Sequence, residues 1–190
     1  PEETTVPEEI TTPEETTAPE ETTVREEITT PEETVDPEEH VKLVKYNISL
    51  NGNIAMKFHM DLSETVKNDE NAYVLFTLPN GSTDKVYVKD ASVKDGLYMF
   101  TCEVASKEMN DDVEFRLFFG NHASEKYSYS VRDYAEYIIK NEALYTTETI
   151  ELVKAMLDYG AYSQIWFEHN ADKPVNSGLT NRDVSDVTAE

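Results

Sequence analysis

The sequence predicts a mostly β, α+β module. An antiparallel, sandwich-like sheet of about seven strands is packed by two C-terminal helices and preceded by a disordered repeat tail. Three observations lead there. Period-two apolar runs broken by Gly, Asn and Pro turns recur about every ten residues from 41 to 131. From 131 to 167 the apolar positions switch to helical spacing. Residues 1–36 hold six near-identical hexads with almost nothing to bury.

The hexads read PEETTV, PEEITT, PEETTA, PEETTV, REEITT and PEETVD. Proline at the first place removes a backbone donor and breaks both helix and ladder. The one or two small apolar side chains per hexad cannot stack into a solenoid. Twelve glutamates and Asp36 against Arg25 give this stretch a net charge of −12 out of the chain's −23. Like charges and prolines extend the chain, so residues 1–40 are expected to form a stiff, solvated, polyproline-like spacer. At about 3 Å per residue it would span roughly 100 Å. Its threonine pairs, Thr4 and Thr5 first among them, suit O-glycosylation. A spacer holding a domain away from something is a cell-surface feature. The chain begins at Pro1 inside a hexad, with neither initiator methionine nor signal peptide, and is expected to be a piece of a longer protein.

From Val44 to Leu62 two alternating apolar runs flank Asn51-Gly52-Asn53, the strongest short-range hairpin signal. Val44, Tyr46, Ile48 and Leu50 are expected on one face, and Met56, Phe58, Met60 and Leu62 on the facing strand. Residues 63–71 read as a polar loop. Further strands are expected at Ala72 to Leu78, Lys85 to Lys89, Tyr98 to Val104, Val113 to Phe119 and Tyr127 to Val131, separated by turns such as Pro79-Asn80-Gly81 and Asp95-Gly96. A competing layout is an open sheet with one face covered by helices.

Ser130 with Asp133 forms a capping pair that starts a helix near Arg132 and carries it to Lys140, with Tyr134, Ala135 and Ile138 inward. A second helix begins near Thr146 or Thr147, with Glu148 and Glu151 where the helix dipole favours anions, and runs to about Trp166. Ile150, Val153, Leu157, Ala161 and Ile165 share its apolar stripe. Gly160 costs about 1 kcal/mol against alanine at such a position, which predicts a close approach by a neighbour. The module is therefore expected over residues 41–170, and residues 171–190 as a linker towards a further domain.

The SLNGNIAMKFHMDL hairpin, SYSVRDYAEYII, LVKAMLDYGAYSQIWF and the trailing NSGLTNRDVSDVTAE together resemble an uncharacterised repeat module of secreted and cell-surface multidomain proteins of anaerobic Gram-positive gut bacteria. The resemblance covers about residues 43–190. It implies an extracellular setting beside other extracellular domains of the same chain, and it brings no catalytic motif with it.

His40, His59, His122 and His169 are scattered without metal-ligand spacing and read as surface or edge residues. Cys102, the lone cysteine, falls on an apolar strand face and reads as core. Ser82 and Lys85 spell S-x-x-K, but on a hairpin turn instead of the helix that chemistry needs. Asp61, Asp69 and Glu70, and Asp111 with Asp112, are loop carboxylates without the EF-hand pattern and read as solvated charge. The acidic balance disfavours nucleic acid and anionic membrane, and suits calcium or a basic partner. No run of about 18 apolar residues is present for membrane insertion. No cofactor is expected.

Two functions are left. The first is a non-catalytic extracellular module, acting in adhesion, interaction or spacing and meeting a host or cell-surface protein or a glycan. The alternative is a carbohydrate-binding module of a glycan-degrading enzyme or complex. For the glycan, the candidate residues are Tyr137, Tyr159, Tyr162 and Trp166, whose rings can stack on sugar faces. Most of these tyrosines also suit packing between helices and sheet, and a ligand is first to be sought where they emerge at the sheet's edge.

Overall fold

The structure is a computed structural model and describes residues 39–184. The spacer expected over residues 1–40 lies outside the described residues as far as residue 38, and so does the end of the expected linker, 185–190.

Two antiparallel sheets and two C-terminal helices make up the described fold, as the α+β pattern predicts. The first sheet has the order β1 (Val41–Ser49), β2 (Ala55–Leu62), β6 (Leu97–Glu103), β5 (Ser92–Lys94). The second runs β4 (Thr83–Tyr87), β3 (Tyr73–Thr77), β7 (Val113–Phe119), with β8 (His122–Ala123) and β9 (Tyr127–Tyr129) both paired to the free side of β7. Between β8 and β9 the buried Ser124 keeps that side occupied: its hydroxyl accepts the Leu117 N–H at 3.0 Å, and its own N–H reaches the Leu117 carbonyl at 2.8 Å.

Seven strands are present where seven are expected, but the fourth runs over Thr83–Tyr87 and not to Lys89, because Val88–Asp90 coils into a single 3-10 turn that buries Val88. The two extra ones, β5 and β8, are too short to show an alternation. At Asp95 and Gly96 both residues take positive φ, 53° and 80°, which gives the two-residue turn that joins β5 to β6.

The sheets meet through aromatic rings. Phe58 on β2 packs against Phe115 on β7, with ring centroids 4.3 Å apart, and against Phe76 on β3 at 5.8 Å. Met56, Phe58, Met60 and Leu62 from one sheet, and Val74, Phe76, Phe115 and Leu117 from the other, are buried. The layout with helices alone over an open sheet is thus not the one formed.

One register differs from the alternation in the sequence. Leu43 pairs with Met60 and Lys45 with His59, so a bulge at Val44 shifts the period by one residue. Val41 and Leu43 face inward before it, Tyr46 and Ile48 after it, and Val44 is left 47% exposed. The polar stretch 63–71 is also more ordered than a loop. It opens with the short helix α1 (Glu64–Lys67), capped by Ser63, and buries Val66.

Helix α2 (Val131–Lys140) carries the full capping box: the Ser130 hydroxyl accepts the Asp133 N–H, and the Asp133 carboxylate accepts the Ser130 N–H. Val131, expected to end the last strand, is instead the first residue of this helix and is buried. Helix α3 (Thr147–Trp166) starts at the Thr146 cap and buries Val153, Met156, Leu157, Gly160 and Ala161.

The residues after α3, expected as linker, pack on the module as far as Val184. Val175 and Asn176 are buried, and so is Val184. The Gln164 side-chain oxygen accepts the Val175 N–H at 2.7 Å, and the Arg132 guanidinium donates to the carbonyls of Val175 and Ser177. Asn176 and Thr180 both donate to Asp158 on α3, at 2.9 and 2.6 Å. Apolar content was too sparse here for a periodic signal. Two valines and a set of polar anchors hold the segment without one.

Gly160 is what lets this segment in. A Cβ at that position would stand 2.8 Å from Val175 Cγ1 and 3.0 Å from Met109 Sδ. In Gly160→Ala, overpacking of about 1–3 kcal/mol is set against about 1 kcal/mol of regained helix propensity. A net loss on the order of 1 kcal/mol and a lower melting temperature are expected. Adding Val175→Ala should make the double variant more stable than the sum of the single effects, as read by thermal melts in a double-mutant cycle.

Candidate functional site

A cleft of about 410 Å³ at the outer edge of the first sheet gathers aromatic side chains: it is lined by Leu43, Val44, Lys45, Tyr46, Tyr129, Tyr134, Tyr137 and Tyr145. Three elements build it. β1 supplies Tyr46 and, through its bulge, the exposed Val44. β9 supplies Tyr129, and α2 with the turn after it supplies Tyr134, Tyr137 and Tyr145.

Three of the rings are in contact through Tyr46. Tyr46 lies 4.5 Å from Tyr129 and 5.9 Å from Tyr134, centroid to centroid. Burial, followed by the nearby Asp133 carboxylate and the neighbouring phenols, pushes the Tyr46 hydroxyl up to about 12. Burial also raises Tyr134, whose hydroxyl hydrogen-bonds the backbone at Ile48. Tyr127, raised to about 12 by burial and by its hydrogen bond with Glu125, bonds the backbone at Leu43. These phenols stay neutral across the physiological range, so they keep both an apolar face and a hydroxyl.

The four residues singled out from the sequence do not share one site. Tyr137, 54% exposed, lines this cleft. Tyr159, 60% exposed on α3, lines a different hollow beside Gly52, Asn53 and Glu103. The Tyr162 hydroxyl accepts Arg182 Nε at 2.7 Å, and the guanidinium covers its ring. Trp166 is half exposed at the end of α3. Tyr46 and Tyr129 give no sign of the cleft in the sequence, because their neighbours in it come from other strands and helices. Their only sequence signal was membership of an inward strand face.

The remaining candidates are accounted for by structure. Cys102 is buried, and burial pushes its thiol up to about 12, where it is no nucleophile. Ser82 bonds Asn80 and Lys85 sits over the Tyr73 ring at 3.9 Å, so that pair is held apart by its neighbours. Asp69 accepts the N–H groups of Gly120 and Asn71, which hold it below the usual carboxylate range and tie together a second hollow of about 480 Å³. Asp111 is engaged by His169 at 2.6 Å and by Asn170. Among the described residues no group of three or more His, Cys, Asp or Glu side chains is placed to hold a metal ion. None of the described helices is long and apolar enough to cross a membrane.

His59 departs from the surface reading. It projects from the outer face of the first sheet yet is only 7% exposed, and its Nε2 meets Asn47 Oδ1 at 2.8 Å. Burial, then Lys45, Lys94 and Lys57, depress its pKa below the ordinary value of 6.5.

No family model, curated protein or solved structure matches the chain.

A depressed histidine favours the fold while neutral. The unfolded chain takes up its proton first as pH falls, so the His59 contribution is complete above pH 6.5 and is lost from there down to its folded pKa. Urea melts from pH 7.5 to 5 should show a stability slope that shrinks in His59→Gln. An unchanged slope would mean that other groups carry it.

Proposed function

We propose that this chain is a non-catalytic binding module of a bacterial secreted or cell-surface protein, and that the tyrosine cleft holds its ligand, a glycan. The observation that carries this is the cleft at the β1 edge, where five tyrosines from three parts of the chain converge. Its volume, about 410 Å³, is within the range of small-ligand sites.

A sugar ring presents C–H faces and a rim of hydroxyls. Neutral phenols answer both, stacking through the ring and hydrogen-bonding through the oxygen. An aliphatic groove would answer only the first. Exposed Tyr137 is the ring best placed to meet an incoming ligand, since Tyr46 and Tyr134 are already half buried against their neighbours. The extracellular setting rests on the hexad spacer and on the resemblance of the module, and it makes a surface glycan a natural target. A role in adhesion or spacing within a multidomain protein is the broader form of the same proposal.

Two measurements test it. Fractionation of cells making the full-length protein should place it outside the cytoplasm, and a purely cytoplasmic product would sink the setting. A panel of immobilised polysaccharides should retain the wild-type chain, and Tyr137→Ala, whose ring is largely in solvent, should lose roughly ten-fold in affinity while keeping its melting temperature. Retention unaffected by Tyr137→Ala and by Tyr46→Phe would move the site elsewhere.

A further inference from the structure

On the reading that the tyrosine cleft holds a sugar, we propose that the sugar is acidic, and that its carboxylate or sulfate groups are taken by a lysine-lined hollow on the outer face of the first sheet.

The hollow, about 360 Å³, is lined by Lys45, Asn47, Lys57, His59, Lys94 and Asp95 together with Leu97 and Met99. Strand register brings these residues together from four strands. Lys45 stands opposite His59 and Asn47 opposite Lys57, His59 stands opposite Met99, and Lys94 stands opposite Leu97. In a chain of net charge −23, three ammonium groups therefore surround one nearly buried imidazole. No carboxylate among the described residues lies within ion-pairing distance of Lys45, Lys57 or Lys94. Asp95 is the one acid that lines the hollow.

The hydrogen-bond network fixes what His59 can offer. Asn47 turns its amide nitrogen towards the Ile48 carbonyl, so its oxygen faces His59 and accepts the Nε2 proton. Neutral His59 thus has its donor occupied. The lysines are the groups left to meet a ligand, and the positive field that they set up at His59 is what an anion would offset.

Lys45 lines both the hollow and the tyrosine cleft. The bulge at Val44 sets it on the lip of the edge strand, between rings on one side and ammonium groups on the other. A polysaccharide that stacks on Tyr137 can therefore lay a charged substituent across Lys45 towards Lys57 and Lys94. The overall negative charge opposes polyanions at long range, so capture depends on this local reversal of sign and weakens with salt.

The test uses the whole chain with four probes: polygalacturonate for carboxylate, dextran sulfate for sulfate, dextran as the neutral glycan, and polyglutamate as an acidic chain without sugar. Retention on either acidic glycan above dextran, with a loss of about ten-fold or more in Lys57→Gln/Lys94→Gln and again in Lys45→Gln, is the expected result. The two acidic probes decide between carboxylate and sulfate. By linkage, ligand binding should also raise the His59 pKa, read from its ring resonances by NMR. Equal binding of dextran, untouched by the lysine changes, overturns the acidic ligand and leaves the glycan site standing. No binding to any of the three glycans removes both proposals. Polyglutamate binding that survives Tyr137→Ala overturns this inference in favour of an acidic peptide. Melting temperatures of the lysine variants confirm that they fold.

Discussion

An open sheet edge beside a packed core is the constraint that arranges the rest of this module. β1 ends the first sheet, and the backbone groups along its outer side would pair with any passing strand if left bare. The chain covers them with phenols. Tyr127 and Tyr134 reach the backbone at Leu43 and Ile48, on either side of the bulge, and through Tyr134 α2 lies against the same edge. Shielding an edge with tyrosines instead of aliphatic residues leaves hydroxyls and ring faces at the surface. The cleft thus follows from edge protection, which packs Tyr46 and Tyr134 against their neighbours and leaves Tyr137 exposed.

Strands and helices were legible because each obeys a single period over several residues. The inward face of β2 alternates without interruption, and α3 runs between the threonine cap and tryptophan that its pattern names. The misreadings are places where one residue breaks a period or where cohesion is not apolar. At Val44 a bulge reverses the alternation, and residues 44 and 46 look alike in sequence though only Tyr46 faces the core. Between residues 170 and 184 the docking rests on Gln164, Arg132, Asp158 and two buried valines, and hydrogen bonds to backbone carbonyls leave no pattern to read.

The candidate sites were less legible for a related reason. Tyrosines on α3 stood out because they lie close together in the chain, whereas the cleft gathers Tyr46, Tyr129, Tyr137 and Tyr145 across a hundred residues. Charge was harder still. Summing residues gives an acidic protein, but β-pairing sorts Lys45, Lys57 and Lys94 onto one face of one sheet, which a total cannot reveal. Segregation of charge by strand register is a property of the fold.

The terminal segment bears on the order in which the chain can become native. Arg132 at the start of α2, Met109 in the connection between the sheets and Val175 after α3 meet around Gly160, so parts of the chain from residue 109 to residue 175 close together. A polypeptide made or exported from its N-terminus presents both sheets before the stretch that completes them has emerged. Until Val175 arrives, the groove over Gly160 stands open and Met109 is bare on one side. The 175–184 segment thus seals a surface that both sheets and α3 have to build first.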